Sequence, residues 1–358
     1  MKKFSFISCL LVVLVASSCN PESVESVRAA NIAKQFLAES NISGFSVTVG
    51  SEGQIVWSGG FGFADLEQMV PINPAETKFR VGSTAKSMTA MAVGQLHEKN
   101  ILDLDKIIQT YIPEFPEKRG PITTRMLAGH LAGIRHYKND AEWFSAVHYD
   151  SVIDALEIFS DDPLLYYPGT EFSYSTYGYN LISAIIEGAS GQEYISYMAE
   201  NVFDPIGMKD TVPDHVAPII ANRSRYYSSV EGKLVNTPWV DNSNKWAGGG
   251  FLSTTDDLVR FGIAHLSGRF LTNETIQMLW TSQVTADGEA TGYGIGWFIE
   301  VDSNGRTVIK HTGGSVGGVT VLRIYPDYEL VIAIVTNTDT IDVKPLANEL
   351  VEVFLSER

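Results

Sequence analysis

Cysteine is almost missing from this chain: among 358 residues only Cys9 and Cys19 occur. Both lie near the N-terminus, so the rest of the chain can form no internal disulfide and must be held together by burial. Basic residues are also scarce, 26 Lys and Arg against 42 Asp and Glu, for a formal net charge of −16. A surface of that sign repels phosphate backbones and anionic headgroups, which argues against nucleic acid as a partner and against a polybasic membrane contact. Histidine is sparse too. His130 and His136 have no His-Glu-x-x-His and no cysteine cluster around them, so no metal site and no cofactor is expected. No repeat, low-complexity tract or long linker interrupts the chain after its N-terminal segment. What remains is a chain of 44% hydrophobic residues, enough for a sizeable core.

The one long apolar run is at the start. Lys2 and Lys3 precede an apolar stretch from Phe4 to Ala16, then Ser17, Ser18 and Cys19. The stretch is too short for a stable bilayer span and has the layout of a signal peptide, residues 1–18. A small-residue tract ending on Cys resembles the lipobox of bacterial lipoproteins. That resemblance implies lipidation of Cys19, a tether over 19–23, and export to the periplasmic side of a membrane. The alternative is a soluble periplasmic or secreted protein.

Further along, Val24, Val27, Ile32, Phe36 and Leu37 recur at helical spacing. FSVTVG and QIVWSG flank Ser51-Glu52-Gly53 and predict a hairpin. A helical pattern follows from Thr84 to Glu98, with Met88, Met91 and Leu96 as core residues. The middle of the chain reads as helices and loops, with helical periodicity around 150–160 and a helix from Tyr179 to Gly188. After about 290 the runs GYGIGWFIEV, RTVIKH, GVTVLRIY and ELVIAIVTN predict an antiparallel sheet, closed by a helix from Pro345 to Leu355. One catalytic unit is expected over 24–358. Its α/β lobe comes from 24–98 and 250–358, and a mostly helical lobe from 99–249 is inserted between them.

Ser83-Thr84-Ala85-Lys86 is the chain's single Ser-x-x-Lys. At a helix start this spacing puts hydroxyl and amine on one face, about a turn apart, so the amine can take the hydroxyl's proton. The surrounding stretch FRVGSTAKSMTA resembles the nucleophile segment of the serine β-lactamase and penicillin-binding protein superfamily, and most closely its class C β-lactamase and D,D-peptidase branch. ILDLDKIIQTYIPEFP, MLAGHLAGI, YPGTEFSYSTYGYNLIS, FDPIGMKDT, AGGGFLSTTDDL and HTGGSVGG agree in order, so the likeness covers about residues 40–336. It implies an α/β fold of the α+β type, an antiparallel sheet flanked by helices with the helical lobe inserted.

The resemblance also assigns roles. Tyr174-Ser175-Thr176 matches the family's Tyr-x-Asn box except at Thr176. Tyr174 is then the proton shuttle beside Lys86. Thr176 is a shorter substitute for the Asn that helps hold substrate and lysine, which puts efficient β-lactamase or peptidase turnover in doubt. His311-Thr312-Gly313 stands where relatives carry Lys-Thr-Gly or His-x-Gly, so His311 would orient substrate or assist proton transfer. Thr312 and Gly313 would line the substrate, and the amide of Gly314 would join that of Ser83 in binding the oxyanion. Gly313-Gly314-Ser315-Val316-Gly317 also spells Gly-x-Ser-x-Gly, but no helix pattern or later histidine follows it, as an α/β-hydrolase elbow requires. The implied activity is a serine hydrolase acting through an acyl-enzyme on a β-lactam, a D-amino-acid peptide derived from peptidoglycan, or a small ester. The alternatives are a carboxylesterase on the same scaffold, or a penicillin- or cell-wall-peptide-binding protein without turnover.

Overall fold

The computed structural model describes residues 23–355; the leader 1–18 and Cys19 lie outside the described residues. Twelve strands occur among the described residues: β1 (Gly44–Ser51), β2 (Gln54–Asp65), β3 (Val70–Pro71), β4 (Phe79–Arg80), β5 (Val212–Pro213), β6 (Tyr227–Val230), β7 (Lys233–Asn236), β8 (Phe251–Ser253), β9 (Phe298–Val301), β10 (Thr307–Ser315), β11 (Gly318–Tyr325) and β12 (Leu330–Thr336). Seven form one antiparallel sheet in the order β3-β2-β1-β12-β11-β10-β9. Its centre joins the two ends of the chain, because β1 pairs with β12, Phe45 opposite Thr336 and Ser51 opposite Leu330.

Period-two alternation decides what covers each face. Phe45, Val47 and Val49 of β1, with Leu330, Ile332 and Ile334 of β12, pack on the terminal helices Val24–Glu39 and Lys344–Leu355. Ser46 and Thr48 point the other way, where the Oγ of Ser46 lies 2.7 Å from Oγ1 of Thr255 and Thr48 donates to Asp256 at 2.7 Å. Those partners open the helix Thr255–Leu266, capped by Thr254, whose side chain accepts from the amide of Asp257. Val331, Ala333 and Val335 share that face with Met88 and Met91 of the helix Ala85–Glu98. The sheet is thus a layer between two layers of helix.

Between residues 99 and 249 the chain is mainly short helices, the longest being Thr176–Ser190, with the small hairpin β6–β7. Two local expectations differ from what forms. Around 150–160 only a 3₁₀ turn, Asp154–Ile158, is present. Of GYGIGWFIEV only the last four residues are strand, because Gly292 (φ +70°) and Gly296 (φ +77°) turn the chain out of extension. The predicted helices at both ends of the chain and the hairpin at 51–53 form as the patterns require.

Candidate active site

The nucleophile segment enters from β4. Gly82, with φ +50°, turns the backbone into the 3₁₀ turn Gly82–Thr84, which runs directly into the helix Ala85–Glu98. Ser83 is therefore half-buried in the lead-in turn rather than serving as the cap of the helix. Lys86, one turn on, has no exposed surface. Its Nζ lies 3.0 Å from Oγ of Ser83, 3.1 Å from Oγ1 of Thr176 and 2.6 Å from the carbonyl oxygen of Gly248. Burial, and then the positive charge of Lys245, push its pKa well below the ordinary lysine value.

The protonated side chain donates to all three oxygens, whereas the neutral amine keeps two N–H groups and a lone pair. The Gly248 carbonyl can only accept, and the Thr176 hydroxyl can accept a second N–H. The nitrogen lone pair is then left to receive the Ser83 O–H.

Tyr174 and Thr176 are set on either side of a cap. Ser175 is the N-cap of the helix Thr176–Ser190: it accepts from the amide of Gly178 at 2.9 Å and donates to the carbonyl of Arg135 at 2.7 Å. Burial raises the Tyr174 pKa above the ordinary tyrosine value, against the opposing effect of the nearby Ser83 side chain. The Lys86 ammonium position lies 5.0 Å from the centre of the Tyr174 ring. His130 packs against this ring at 4.3 Å, tilted by 45°, and accepts from the amide of Ser175 at 3.2 Å, so it braces the cap.

The opposite wall is β10. This strand pairs with β9 only from Thr307 to Lys310, leaving the edge at Thr312, Gly313 and Gly314 open on that side. A Cβ on Gly313 would fall 2.0 Å from the carbonyl oxygen of Val81, so only glycine lets the strand lie this close to the nucleophile turn. Gly314 is exposed on the cleft beside Ser83.

His311 sits behind this edge, 1% exposed. Its Nδ1–H donates to the carbonyl of Thr312 at 2.7 Å and its Nε2 accepts from the Tyr293 hydroxyl at 3.0 Å. Burial first, then the charge of Lys86, lower its pKa to about 3. Both nitrogens are engaged within the protein, and the ring is neutral.

Ser83, Thr176, Gly248, Gly249 and Gly314 line a narrow cleft, about 40 Å³ in volume, together with His136, Tyr137, Trp143, Asn242 and Lys245. A larger cavity of about 620 Å³, bounded by His148, Glu187 and Trp246, contains neither Ser83 nor Lys86. The chemistry therefore belongs to the smaller space. Several of its residues gave no sign in the sequence. Gly248 is one of three consecutive glycines whose lack of a following Gly-Lys-Ser/Thr excludes a phosphate loop, and its role depends on a carbonyl that sequence motifs do not describe. Tyr137 and Trp143 pack edge to face, 5.5 Å apart, and Lys245 lies beside the pair; all three come from outside the three motifs. Among the described residues no group of three His, Cys, Asp or Glu is arranged to hold a metal ion.

Comparisons with known proteins agree with this geometry. The family described as beta-lactamase matches residues 29–353. The human serine beta-lactamase-like protein LACTB, mitochondrial, is 34% identical over 87% of this chain and 73% of its own length. The octameric penicillin-binding protein homologue from Pyrococcus abyssi superposes with a TM-score of 0.80 at 24% identity, covering 92% of this chain and 77% of that one. D-amino acid amidase from Ochrobactrum anthropi SV3, complexed with L-phenylalanine amide, gives 0.80 at 21% identity over 94% and 100% of the two chains. At those identities the two structural likenesses are likenesses of fold. The chain belongs to the beta-lactamase family, within the superfamily of serine hydrolases and penicillin-binding proteins that its motifs resemble.

Proposed function

We propose that this protein hydrolyses a small ester or amide through an acyl-enzyme on Ser83. The observation that carries the reading is the fully buried Lys86, 3.0 Å from the Ser83 hydroxyl and with its pKa held well down. In its neutral form Lys86 takes the Ser83 proton as the oxygen attacks the carbonyl. Tyr174, kept protonated by burial and near Ser83, relays a proton to the leaving group. The amides of Ser83 and Gly314 bind the oxyanion at the open edge of β10. Water then attacks the acyl-enzyme, with the same amine as base, and releases the acid. His311, neutral and engaged on both nitrogens, holds the strand edge through Tyr293 and the Thr312 carbonyl.

Among substrates, the narrow cleft walled by Tyr137 and Trp143 favours a small acyl group, and so an ester or a short D-amino-acid amide over a bulky β-lactam. The D-amino acid amidase of the same fold supports the amide as the second choice. We also infer export and a lipid anchor on Cys19; Cys19→Ser should abolish incorporation of radiolabelled palmitate and release the protein from membranes.

The central test is covalent labelling. A fluorophosphonate should label the wild-type protein at Ser83 and leave Ser83→Ala unlabelled. Labelling that persists in Ser83→Ala would rule the assignment out.

A further inference from the structure

Lys245 is the second buried cation of the cleft, and it has no carboxylate of its own. It ends the 3₁₀ turn Ser243–Lys245, is 6% exposed, and lines the same space as Ser83. Its ammonium lies 5.4 Å from the centre of the Tyr137 ring and 5.2 Å from that of Trp143. Among the described residues the single hydrogen bond of its Nζ is a long one, 3.4 Å to the carbonyl of Trp143. The nearby acids act on it through space but make no ion pair with it, and Oδ1 of Asp214 lies 3.8 Å from Arg223 with no hydrogen bond. Asp214 accepts from Nε of Arg80 at 2.7 Å and from Asn242 at 2.8 Å. Asp241 pairs with Nδ1 of His148 at 2.8 Å and accepts from the amide of Ser243 at 2.8 Å.

The other cations cannot serve in its place. Lys86 is held by three neighbours, and Lys310 of β10 is paired with Glu300 at 2.5 Å. His311 is neutral, so the edge of β10 offers only backbone groups and the Thr312 side chain. A buried ammonium with most of its hydrogen-bonding capacity unused, facing the space that substrate must enter, is costly when empty and favours a counter-ion from outside.

We propose that Lys245 is the specificity-determining anion site of this cleft, and that the ester or amide delivered to Ser83 carries a carboxylate. This rests on the acyl-enzyme reading above and adds the substrate's charge to it. Burial and the charge of Arg80 lower the Lys245 pKa to about 8, against the pull of Asp214 and Asp241, so the side chain is still mostly charged at neutral pH. An entering carboxylate would raise that value and be held more firmly as it did so. The rings of Tyr137 and Trp143 lie within cation–π range of the ammonium and offset part of its burial cost while the site is empty.

The experiment compares isosteres that differ only in charge. On the acyl side, mono-4-nitrophenyl glutarate is set against 4-nitrophenyl 4-carbamoylbutanoate. On the leaving-group side, 4-carboxyphenyl acetate is set against 4-carbamoylphenyl acetate. Because Lys245 also acts on Lys86, the readout is the ratio of kcat/KM within each pair. In the wild type the acid of at least one pair should be preferred by roughly ten- to a hundredfold. Lys245→Met, which removes the charge and keeps a side chain of similar length, should bring that ratio to about one, and Lys245→Arg should keep most of it. A second measurement needs no turnover: glutarate, and not glutaramide, should protect Ser83 of the wild type from a fluorophosphonate. Preference for the amide in both pairs, a ratio unchanged in Lys245→Met, or equal protection by both compounds would overturn the proposal while leaving acylation at Ser83 intact. Failure of Ser83 to be labelled at all would remove the acyl-enzyme reading itself, and this proposal with it.

Discussion

The carbonyl oxygen of Gly248 lies 2.6 Å from Nζ of Lys86, closer than either hydroxyl that shares the amine. Residues 162 apart in sequence thereby fix the direction of the lone pair. With one N–H spent on a carbonyl that cannot donate, and another on Thr176, the amine can present only its lone pair to Ser83. The base is made by its neighbours as much as by its own chemistry.

Lys86→Met should abolish acylation without unfolding the protein. Loss of a general base costs roughly 10²- to 10⁴-fold in rate. An apolar chain of similar length keeps the packing but leaves the Gly248 carbonyl without its N–H, so stability should fall by only about 1–3 kcal/mol and the fold should persist. Lys86→Arg should be as inactive, because a guanidinium stays protonated. Single-turnover labelling rates beside a thermal melt would check both halves.

The activity should fall on the acid side as Lys86 gains a proton. Its folded pKa lies well below the ordinary lysine value, so log kcat/KM should rise with pH through an acid limb and level off once the amine is neutral. Removing the nearby positive charge in Lys245→Met favours the protonated amine, and should move that limb to higher pH. A pH–rate profile of the two proteins on one neutral ester gives the answer; a limb that moved down would contradict the electrostatic account.

Thr176→Val keeps the shape of the side chain and removes the acceptor 3.1 Å from Lys86. Leaving a buried N–H unsatisfied costs about 1–3 kcal/mol. The expected outcome is a roughly 10- to 100-fold loss of kcat with little change in KM, which steady-state kinetics would resolve. Thr176→Ser, which restores the hydroxyl, should recover most of the rate.

Gly313→Ala should be damaging despite its small size. Its Cβ would meet the Val81 carbonyl at 2.0 Å and the amide nitrogen of Ser83 at 3.1 Å, so β10 or the nucleophile turn must move. Misplacing an oxyanion donor costs about 10²- to 10³-fold in kcat. Overpacking of this kind should lower stability by about 1–3 kcal/mol. Denaturant titration and kcat should both respond.

Acid should destabilise the fold through its buried histidines. His265 is 3% exposed, packed on Phe261, Trp280 and Trp297, and burial lowers its pKa to about 4. In the unfolded chain it would take its proton near pH 6.5. Between those values the unfolded state binds the extra proton, so the stability held above pH 6.5 is lost as pH falls toward 4, by roughly 3 kcal/mol for this residue. His136 and His311 add to the same window. His265→Phe should flatten the acid limb of a stability-versus-pH curve measured by urea titration; an unchanged slope would show that His265 is not the group responsible.

Much of the scaffold was legible because it is local or periodic. The alternation in FSVTVG and ELVIAIVT carries the two-faced sheet centre, and the spacing of Ser83 and Lys86 places both on one turn of backbone. Where a glycine redirected the chain, as at Gly292 and Gly296, the apolar pattern of GYGIGWFIEV overstated the strand. The three family motifs mark Ser83, Tyr174 and the edge of β10 in chain order. They say nothing of His311's two internal bonds or of the rings beside Lys245, because those depend on partners from segments with no motif of their own.

The sequence by itself determined the family, the helix-flanked sheet and the one-turn spacing of Ser83 and Lys86, because each depends on neighbours a few residues away or on a repeating pattern. Only the tertiary structure decided which state those groups hold. Desolvation of Lys86, the carbonyl of Gly248, the hydroxyl of Thr176 and the field of Lys245 arise where distant segments close around one another. A pKa is a property of that enclosure, not of the residue.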